Sequence, residues 1–372
     1  MNPDLAHFAA RLRGRLAGSS DAISASQFSA LALELFALQF RSNAAYRKIC
    51  EARGRTPSVV EQWTQIPAVP AAAFKELDLT SLAPGERTAV FHSSGTTGQK
   101  PGRHFHSADS LAVYEASLWS WFAQNFSGDS ISPIQNSKLV VLTPPPAQVP
   151  HSSLVHMFET FRQKLGAPAS AFVGRLENEG VWALDFAAAL NALSPRASSS
   201  SSPSLLLLGT AFSFVHLLDH LVAQDLRLPL PAGSRVMETG GYKNRSRSLP
   251  KPDLHALISE RLVVPPGNIF CEYGMSELSS QAYDTDIQPP ASGLRSRVFR
   301  FPPWARVQIV SPETGREVGG GGTGLIRILD LANVFSVAAV QTEDLGLRCG
   351  DGFELLGRAS AAEPRGCSLM SA

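Results

Sequence analysis

Residues Ser93-Ser94-Gly95-Thr96-Thr97-Gly98 set four hydroxyl side chains and two glycines side by side, and Lys100 follows two positions on. Glycines let backbone N–H groups turn toward an anion, hydroxyls add donors and a lysine offsets charge, so the segment suits a phosphate. The same composition also builds ordinary surface turns, and the loop alone leaves both readings open. It is not the G-x-x-x-x-G-K-[ST] phosphate loop, because only two residues separate its glycines and Pro101 follows Lys100. His92 flanks this loop; His92, His151, His156 and His216 are of a type that more often bonds structurally than moves protons. Cys50, Cys271, Cys349 and Cys367 lie far apart with no C-x-x-C pair, which argues against a zinc site or a disulfide framework.

A loop of this kind needs a rigid frame, and the apolar patterning supplies one. The runs at Lys138 to Leu142, Ser204 to Gly209, Arg235 to Glu238 and Asn268 to Tyr273 are short, apolar and bounded by Gly or Pro, and read as buried strands. Between them Ser152 to Leu165 and Phe214 to Gln224 carry helical spacing, so strands alternate with helices and predict an α/β core with parallel pairing. Before the loop, Phe28, Leu31, Leu35 and Leu38 recur at helical spacing, and the first 90 residues are expected to be mainly helical. Pro57, Pro67 and Pro70 interrupt that part ahead of one more expected helix, Ala71 to Leu77. Near the end, ARVQIV, GLIRIL and FELLG are separated by Gly-rich turns too short for helices, which predicts a β-rich portion. The expected division is a helical segment 1–90, an α/β core 91–300, a β-rich part 301–357 and a tail 358–372.

With 372 residues, 44% hydrophobic and 17% charged, the chain has the composition of a globular protein able to bury a sizeable core. A net charge of +1 provides no basic field for nucleic acid or anionic lipid, and a small-molecule substrate fits better. No apolar run reaches membrane-spanning length and the start lacks a secretory signal's apolar stretch, so a cytoplasmic location is expected.

The run Ser93 to Gly98 resembles the phosphate loop of the adenylate-forming superfamily, and Glu272-Tyr273-Gly274-Met275-Ser276-Glu277 resembles that superfamily's second signature. The resemblance implies that Tyr273 stacks on adenine, Ser276 touches the α-phosphate, and Glu277 holds Mg2+. Thr342-Glu343-Asp344-Leu345-Gly346 matches the place where the superfamily binds ribose hydroxyls through Asp344, and Gly357-Arg358 matches its arginine. Glu238-Thr239-Gly240-Gly241-Tyr242 matches the Gly-Gly turn laid against adenine. Within the superfamily the chain is most similar to the LuxE type of acyl-protein synthetase over nearly its whole length. The details that single this type out are Pro67-x-x-Pro70 with Phe74-Lys75, Ser152 to Val155, Glu238 to Arg247, and Glu363 to Ser368. The resemblance implies ATP-dependent activation of a fatty acid, an acyl thioester on Cys367, and transfer to a partner such as a reductase or a carrier protein.

Two-domain ligases of the superfamily supply a catalytic lysine from a further mobile domain, whereas this chain stops soon after Arg358 and its last lysine is Lys251. Lys100, Lys243, Arg245 and Arg365 are the candidates by type for that charge. Phe212, Phe214 and Met157 suit an apolar acyl tunnel and suit a core equally well. A ligase forming CoA thioesters or amides, and a non-catalytic nucleotide-binding subunit, remain the alternatives.

Overall fold

The computed structural model describes residues 2–18, 23–93, 100–126, 137–166, 170–177, 180–194, 203–242, 246–287 and 297–359. Three helices open the chain: α1 (Pro3–Ala17), α2 (Ala25–Ser42) and α3 (Ala44–Ala52). Asn2 caps α1, and Ser24 with Gln27 forms a capping box on α2, so the first orphan N–H groups are satisfied. Buried Asn43 closes α2 and opens α3, accepting from Tyr46 N and donating to the carbonyl of Ser336. The helical part is shorter than the sequence predicts. Beyond Ala52 the chain runs in 3-10 turns and one short strand, β1 (Val69–Pro70), because Pro57, Pro67, Pro70 and Pro84 withhold the donors an α-helix needs. The helix expected over Ala71 to Leu77 is a 3-10 helix, Ala71–Lys75.

A hairpin of β2 (Ala89–His92) and β3 (Arg103–His106) follows, then α4 (Ala108–Phe126). Next come β4 (Lys138–Val141), α5 (Ser153–Leu165), β5 (Ala171–Phe172), a small hairpin of β6 (Gly174–Leu176) and β7 (Trp182–Leu184), and α6 (Phe186–Leu193). The core continues with β8 (Leu205–Thr210), α7 (Ala211–Ala223), β9 (Arg235–Thr239), α8 (Lys251–Leu262) and β10 (Ile269–Tyr273). Strands β5, β4, β8, β9 and β10 pair in parallel in that spatial order. All six residues of β8 are buried, because helices cover both faces of this part of the sheet. Alternate residues go opposite ways: Leu205 and Leu207 pack with α7 and α8, whereas Leu206 and Leu208 pack with α4 and α5. Burying each such leucine is worth about 1.5–3 kcal/mol.

The same sheet then turns antiparallel through β11 (Ala282–Ile287), β12 (Arg297–Arg300), β13 (Ala305–Val310), β14 (Thr323–Asp330), β15 (Ala339–Cys349) and β16 (Gly352–Arg358). No helix interrupts them among the described residues, as the Gly-rich turns predict. Strand β1 joins the edge of β15 in parallel, which ties the region after the helices to the strand carrying Asp344. The expected α/β class with a β-rich C-terminal part is the architecture observed.

Candidate active site

The β2–β3 hairpin brings the two ends of the Ser/Thr/Gly loop together. Ser93 N donates to the carbonyl of Gly102 at 3.0 Å, and Gly102 N donates to Ser93 Oγ at 2.8 Å. Ser94, Gly95, Thr96, Thr97 and Gly98 lie outside the described residues; Lys100 is exposed. The segment after β10 is pinned to this base: Ser276 Oγ donates to the carbonyl of His92 at 3.0 Å, and His104 Nδ1 lies 2.8 Å from the carbonyl of Ser276. Ser153 Oγ, at the start of α5, is 3.3 Å from Ser276 Oγ. A side chain at Gly102 has no room, since its Cβ would meet Ser93 Oγ at 2.8 Å and Glu277 Oε1 at 3.0 Å.

Glu277 is 5% exposed. Burial pushes its carboxyl up to about 7, against its own backbone N–H, Lys75, Arg358 and Ser93, which all favour the charged form. Its backbone is fixed from β14 and the turn beyond: Asn333 Nδ2 donates to the carbonyl of Glu277 at 2.8 Å, while Asp330 accepts from Ser279 N and Ser280 Oγ. No group of three or more metal-ligating side chains occurs among the described residues. A single buried carboxylate still fits Mg2+, an ion that keeps several waters and shares its shell with substrate phosphates.

Lys75 has no place in the sequence-derived site, yet it ends the 3-10 helix packed on β3 and β15 and its charge acts on Glu277. Its only sequence signal was the Phe74-Lys75 pair after Pro67-x-x-Pro70. Phe74 helps to explain the placement, because its Cβ lies 3.4 Å from where a Cβ at Gly102 would stand.

Tyr273, Asp344 and Arg358 come together. The Tyr273 hydroxyl donates to Asp344 Oδ2 at 2.9 Å, and Arg358 Nε lies 3.6 Å from Asp344 Oδ1 across the β15–β16 ladder. Tyr273 is 7% exposed, with Phe353, Phe299 and Phe301 set edge-on at 5.2, 6.0 and 6.3 Å, so little of its ring is open to stack on a base. Gly274 is equally confined: a Cβ there would lie 2.3 Å from Glu272 Oε1.

A cleft of about 340 Å3 is lined by residues that include Glu238, Gly240, Tyr242, Lys251, Leu355 and Gly357. Gly240 takes a φ of +68°, and no atom lies within 4 Å of a Cβ built at Gly240 or Gly241. Tyr242 is held by its hydroxyl, which donates to the carbonyl of Leu249 at 2.8 Å.

The remaining candidates are structural or out of view. The His92 and His151 rings lie 4.7 Å apart, tilted by 34°, and burial, then His151 and Arg103, push the pKa of His92 down. His156 pairs with Glu115 at 3.0 Å. Met157, Phe212 and Phe214 are buried in the core, at 2%, 4% and 0% exposure. Arg247 bonds Asp219 at the surface. Lys243, Arg245, Arg365 and Cys367 lie outside the described residues. Sequence reasoning missed the pair His104 and His106, both buried behind the loop base; burial pushes His104 down to about 4.

The fold is that of the adenylate-forming ligases. The chain superposes on 2-hydroxyisobutyryl-CoA ligase, solved in the postadenylation state with 2-HIB-AMP, with a TM-score of 0.66 at 14% identity, covering 93% of this chain and 70% of that one. An open conformation of the same ligase, with 2-HIB-AMP and CoA, gives a TM-score of 0.62 at 14% identity over 91% of this chain and 76% of that one. Within that class the chain belongs to the acyl-protein synthetase family LuxE, which it matches over residues 16–372. Its relatives include the long-chain-fatty-acid--luciferin-component ligase of Vibrio harveyi, 25% identical over 341 residues, spanning 89% of this chain and 83% of that protein. The ligase of the same description from Aliivibrio fischeri is 24% identical over 356 residues, spanning 92% and 87%. The expected family, fold class and ligase activity are thereby borne out. No helix among the described residues is long and apolar enough to cross a membrane.

Proposed function

We propose that this chain activates a fatty acid with ATP as an acyl-adenylate, takes the acyl group onto Cys367 as a thioester, and passes it to a partner protein, a reductase or a carrier. The observation that supports this most is the meeting, in a member of this family, of a phosphate-loop base (Ser93, Gly102), a buried carboxylate (Glu277) and the Tyr273–Asp344–Arg358 trio. In the first step a carboxylate oxygen of the acid bonds to the α-phosphorus of ATP, and the bond from that phosphorus to the bridging oxygen breaks, releasing pyrophosphate. In the second, the Cys367 thiolate bonds to the acyl carbon and the acyl–phosphate C–O bond breaks, releasing AMP.

The loop and Lys75 orient and neutralise the phosphates, and Asp344 accepts from the ribose hydroxyls. Glu277 would hold Mg2+, which when bound spreads the charge developing on the phosphate oxygens. A ribose role for Asp344 sets an expected size of effect. Asp344→Ala should raise the KM for ATP about 10–100-fold, the equivalent of the 1.5–3 kcal/mol of a hydrogen bond to a charged group, with little change in the KM for the acid. Titrating both substrates against initial rate checks this, and an unchanged KM for ATP would remove Asp344 from ribose binding.

The whole reading is tested by acid-dependent exchange of labelled pyrophosphate into ATP, with saturated acids of short, medium and long chain. Exchange that requires an acid is the expected result. Its absence with every acid, in folded protein with Mg2+, rejects the activation step.

A further inference from the structure

The turn that holds the Glu277 backbone is itself held from a distant part of the chain. Residues 331–338 lie between β14 and β15, outside both strands, so their buried N–H and C=O groups must be met by other segments. The N-terminal region meets them. Gln39 Nε2, on α2, donates to the carbonyls of Asn333 at 2.7 Å and Val334 at 3.1 Å, and Gln39 Oε1 accepts from Ala338 N at 2.9 Å. Ser81 N and Thr80 Oγ1 donate to the carbonyl of Phe335 at 2.8 and 3.2 Å. Gln39 is 0% exposed on a helix whose other buried residues include Phe28, Ala32, Leu35 and Phe36. A leucine or methionine suits such a face, whereas a buried amide is costly unless its hydrogen bonds are made. Every hydrogen bond of the Gln39 side chain among the described residues goes to this one turn.

The turn carries the grip onward. Asn333 Nδ2 donates to the carbonyls of Glu277 at 2.8 Å and Val337 at 3.1 Å, and Asn333 Oδ1 accepts from Ser279 Oγ at 2.6 Å. Gln39 thus reaches the Glu277 backbone through Asn333 alone, which offers its carbonyl to the one and its amide to the other. From the opposite side Ser276 is held by His92 and His104. Glu277 stands between these two anchorages.

Resting on the reading of Glu277 above, we propose that Gln39 is a positioning residue for the activation step: through the 333–338 turn it sets where the Glu277 carboxylate stands at the loop base. The N-terminal helices then belong to the catalytic frame and do more than cover the sheet. A misplacement of about 1 Å at a group that orients the reacting atoms costs up to about a hundredfold in rate. Gln39→Met keeps the length of the side chain and removes all of its hydrogen bonds, which leaves two carbonyls and one N–H of the turn unmet. The turn relaxes, and Glu277 moves with it.

The test compares wild type, Gln39→Met and Leu193→Ala, a destabilised variant whose side chain lies in a separate core cluster on α6, each well below its melting temperature. Gln39→Met should lower kcat for acid-dependent pyrophosphate exchange about tenfold or more, with the KM for the acid within about twofold and a higher Mg2+ concentration at half-maximal rate. Leu193→Ala should melt earlier and keep the wild-type kinetics. Amide hydrogen exchange followed by mass spectrometry reads the same effect without turnover: peptides containing residues 276–280 and Ala338 should exchange faster in Gln39→Met and not in Leu193→Ala. In a double-mutant cycle with Asn333→Ala, the double variant should be no slower than the slower single one, because both act along one path. Gln39→Asn, which keeps the amide on an arm one methylene shorter, gives the same reading should Gln39→Met not fold. Wild-type kcat in the folded variant, unchanged exchange of the 276–280 peptide, or independent effects in the cycle overturns the assignment. Absence of pyrophosphate exchange in wild type would instead reject the activation chemistry, and the amide exchange would still decide whether Gln39 holds the Glu277 turn.

Discussion

Glu277→Ala is expected to lower acid-dependent pyrophosphate exchange by about 10²–10³-fold, the size of effect seen when one preorganised group that stabilises transition-state charge is removed. Glu277 is the carboxylate that meets Ser93 and Gly102 at the loop base, with Lys75 and Arg358 acting on it. Loss of fold would mimic this result, and the isosteric Glu277→Gln separates the two. The Glu277 carboxyl is pushed up from about 4.5 to about 7 by burial, so the folded protein penalises its charged form. A raised carboxylate pKa destabilises above the unfolded value, and the penalty grows as pH rises from about 4.5 through about 7. In metal-free buffer at pH 8, Glu277→Gln should therefore melt no lower than wild type, with an advantage of about 3 kcal/mol at most that vanishes toward pH 4.5. A variant that is inactive and as stable as wild type assigns Glu277 to the chemistry. Full exchange in either variant removes it.

Cys367→Ser carries the second large effect, on a different step. The variant should form the adenylate and exchange pyrophosphate within about twofold of wild type, since the proposed activation step uses only the loop, Glu277 and Asp344. It should lose hydroxylamine-sensitive thioester by roughly a hundredfold, because a serine hydroxyl without an adjacent base is a poor nucleophile at neutral pH. The other cysteines offer no substitute. Cys50 is 0% exposed and burial pushes its thiol up to about 11; Cys271 is 1% exposed and burial pushes its thiol well up; the Cys349 thiol is likewise raised by burial. None is activated in the way a thioester-forming thiol needs. Normal thioester formation by Cys367→Ser would end the carrier role while leaving the adenylate reading intact.

Much of this was legible because the parallel strands are buried on both faces. β8 therefore reads as a near-continuous apolar run and β4, β9 and β10 as shorter apolar stretches, and the residues that follow β9 and β10, Gly240-Gly241 and Gly274-Met275-Ser276-Glu277, stood out at strand ends. The β2–β3 hairpin was not legible, since β3 turns His104 and His106 inward and so breaks the apolar alternation by which a strand is recognised. β11 hides in the same way, because buried Asp284 is matched by Arg297 at 3.2 Å, a pairing no local pattern reveals. Lys75 and Glu238 were missed for a related reason. Their partners come from distant segments: Lys75 packs through β15, and Glu238 pairs with Lys251 and His255 on α8. The helix expected over Ala71 to Leu77 is instead the 3-10 helix Ala71–Lys75, directly after Pro70.

The most direct measurement places the acyl group. Wild type incubated with ATP, Mg2+ and a labelled fatty acid, then digested and mapped by mass spectrometry, should carry a hydroxylamine-labile label on the peptide containing Cys367, and only when ATP is present. Label on Cys50, Cys271 or Cys349, or no covalent label while pyrophosphate is released, would contradict a protein-bound thioester at Cys367.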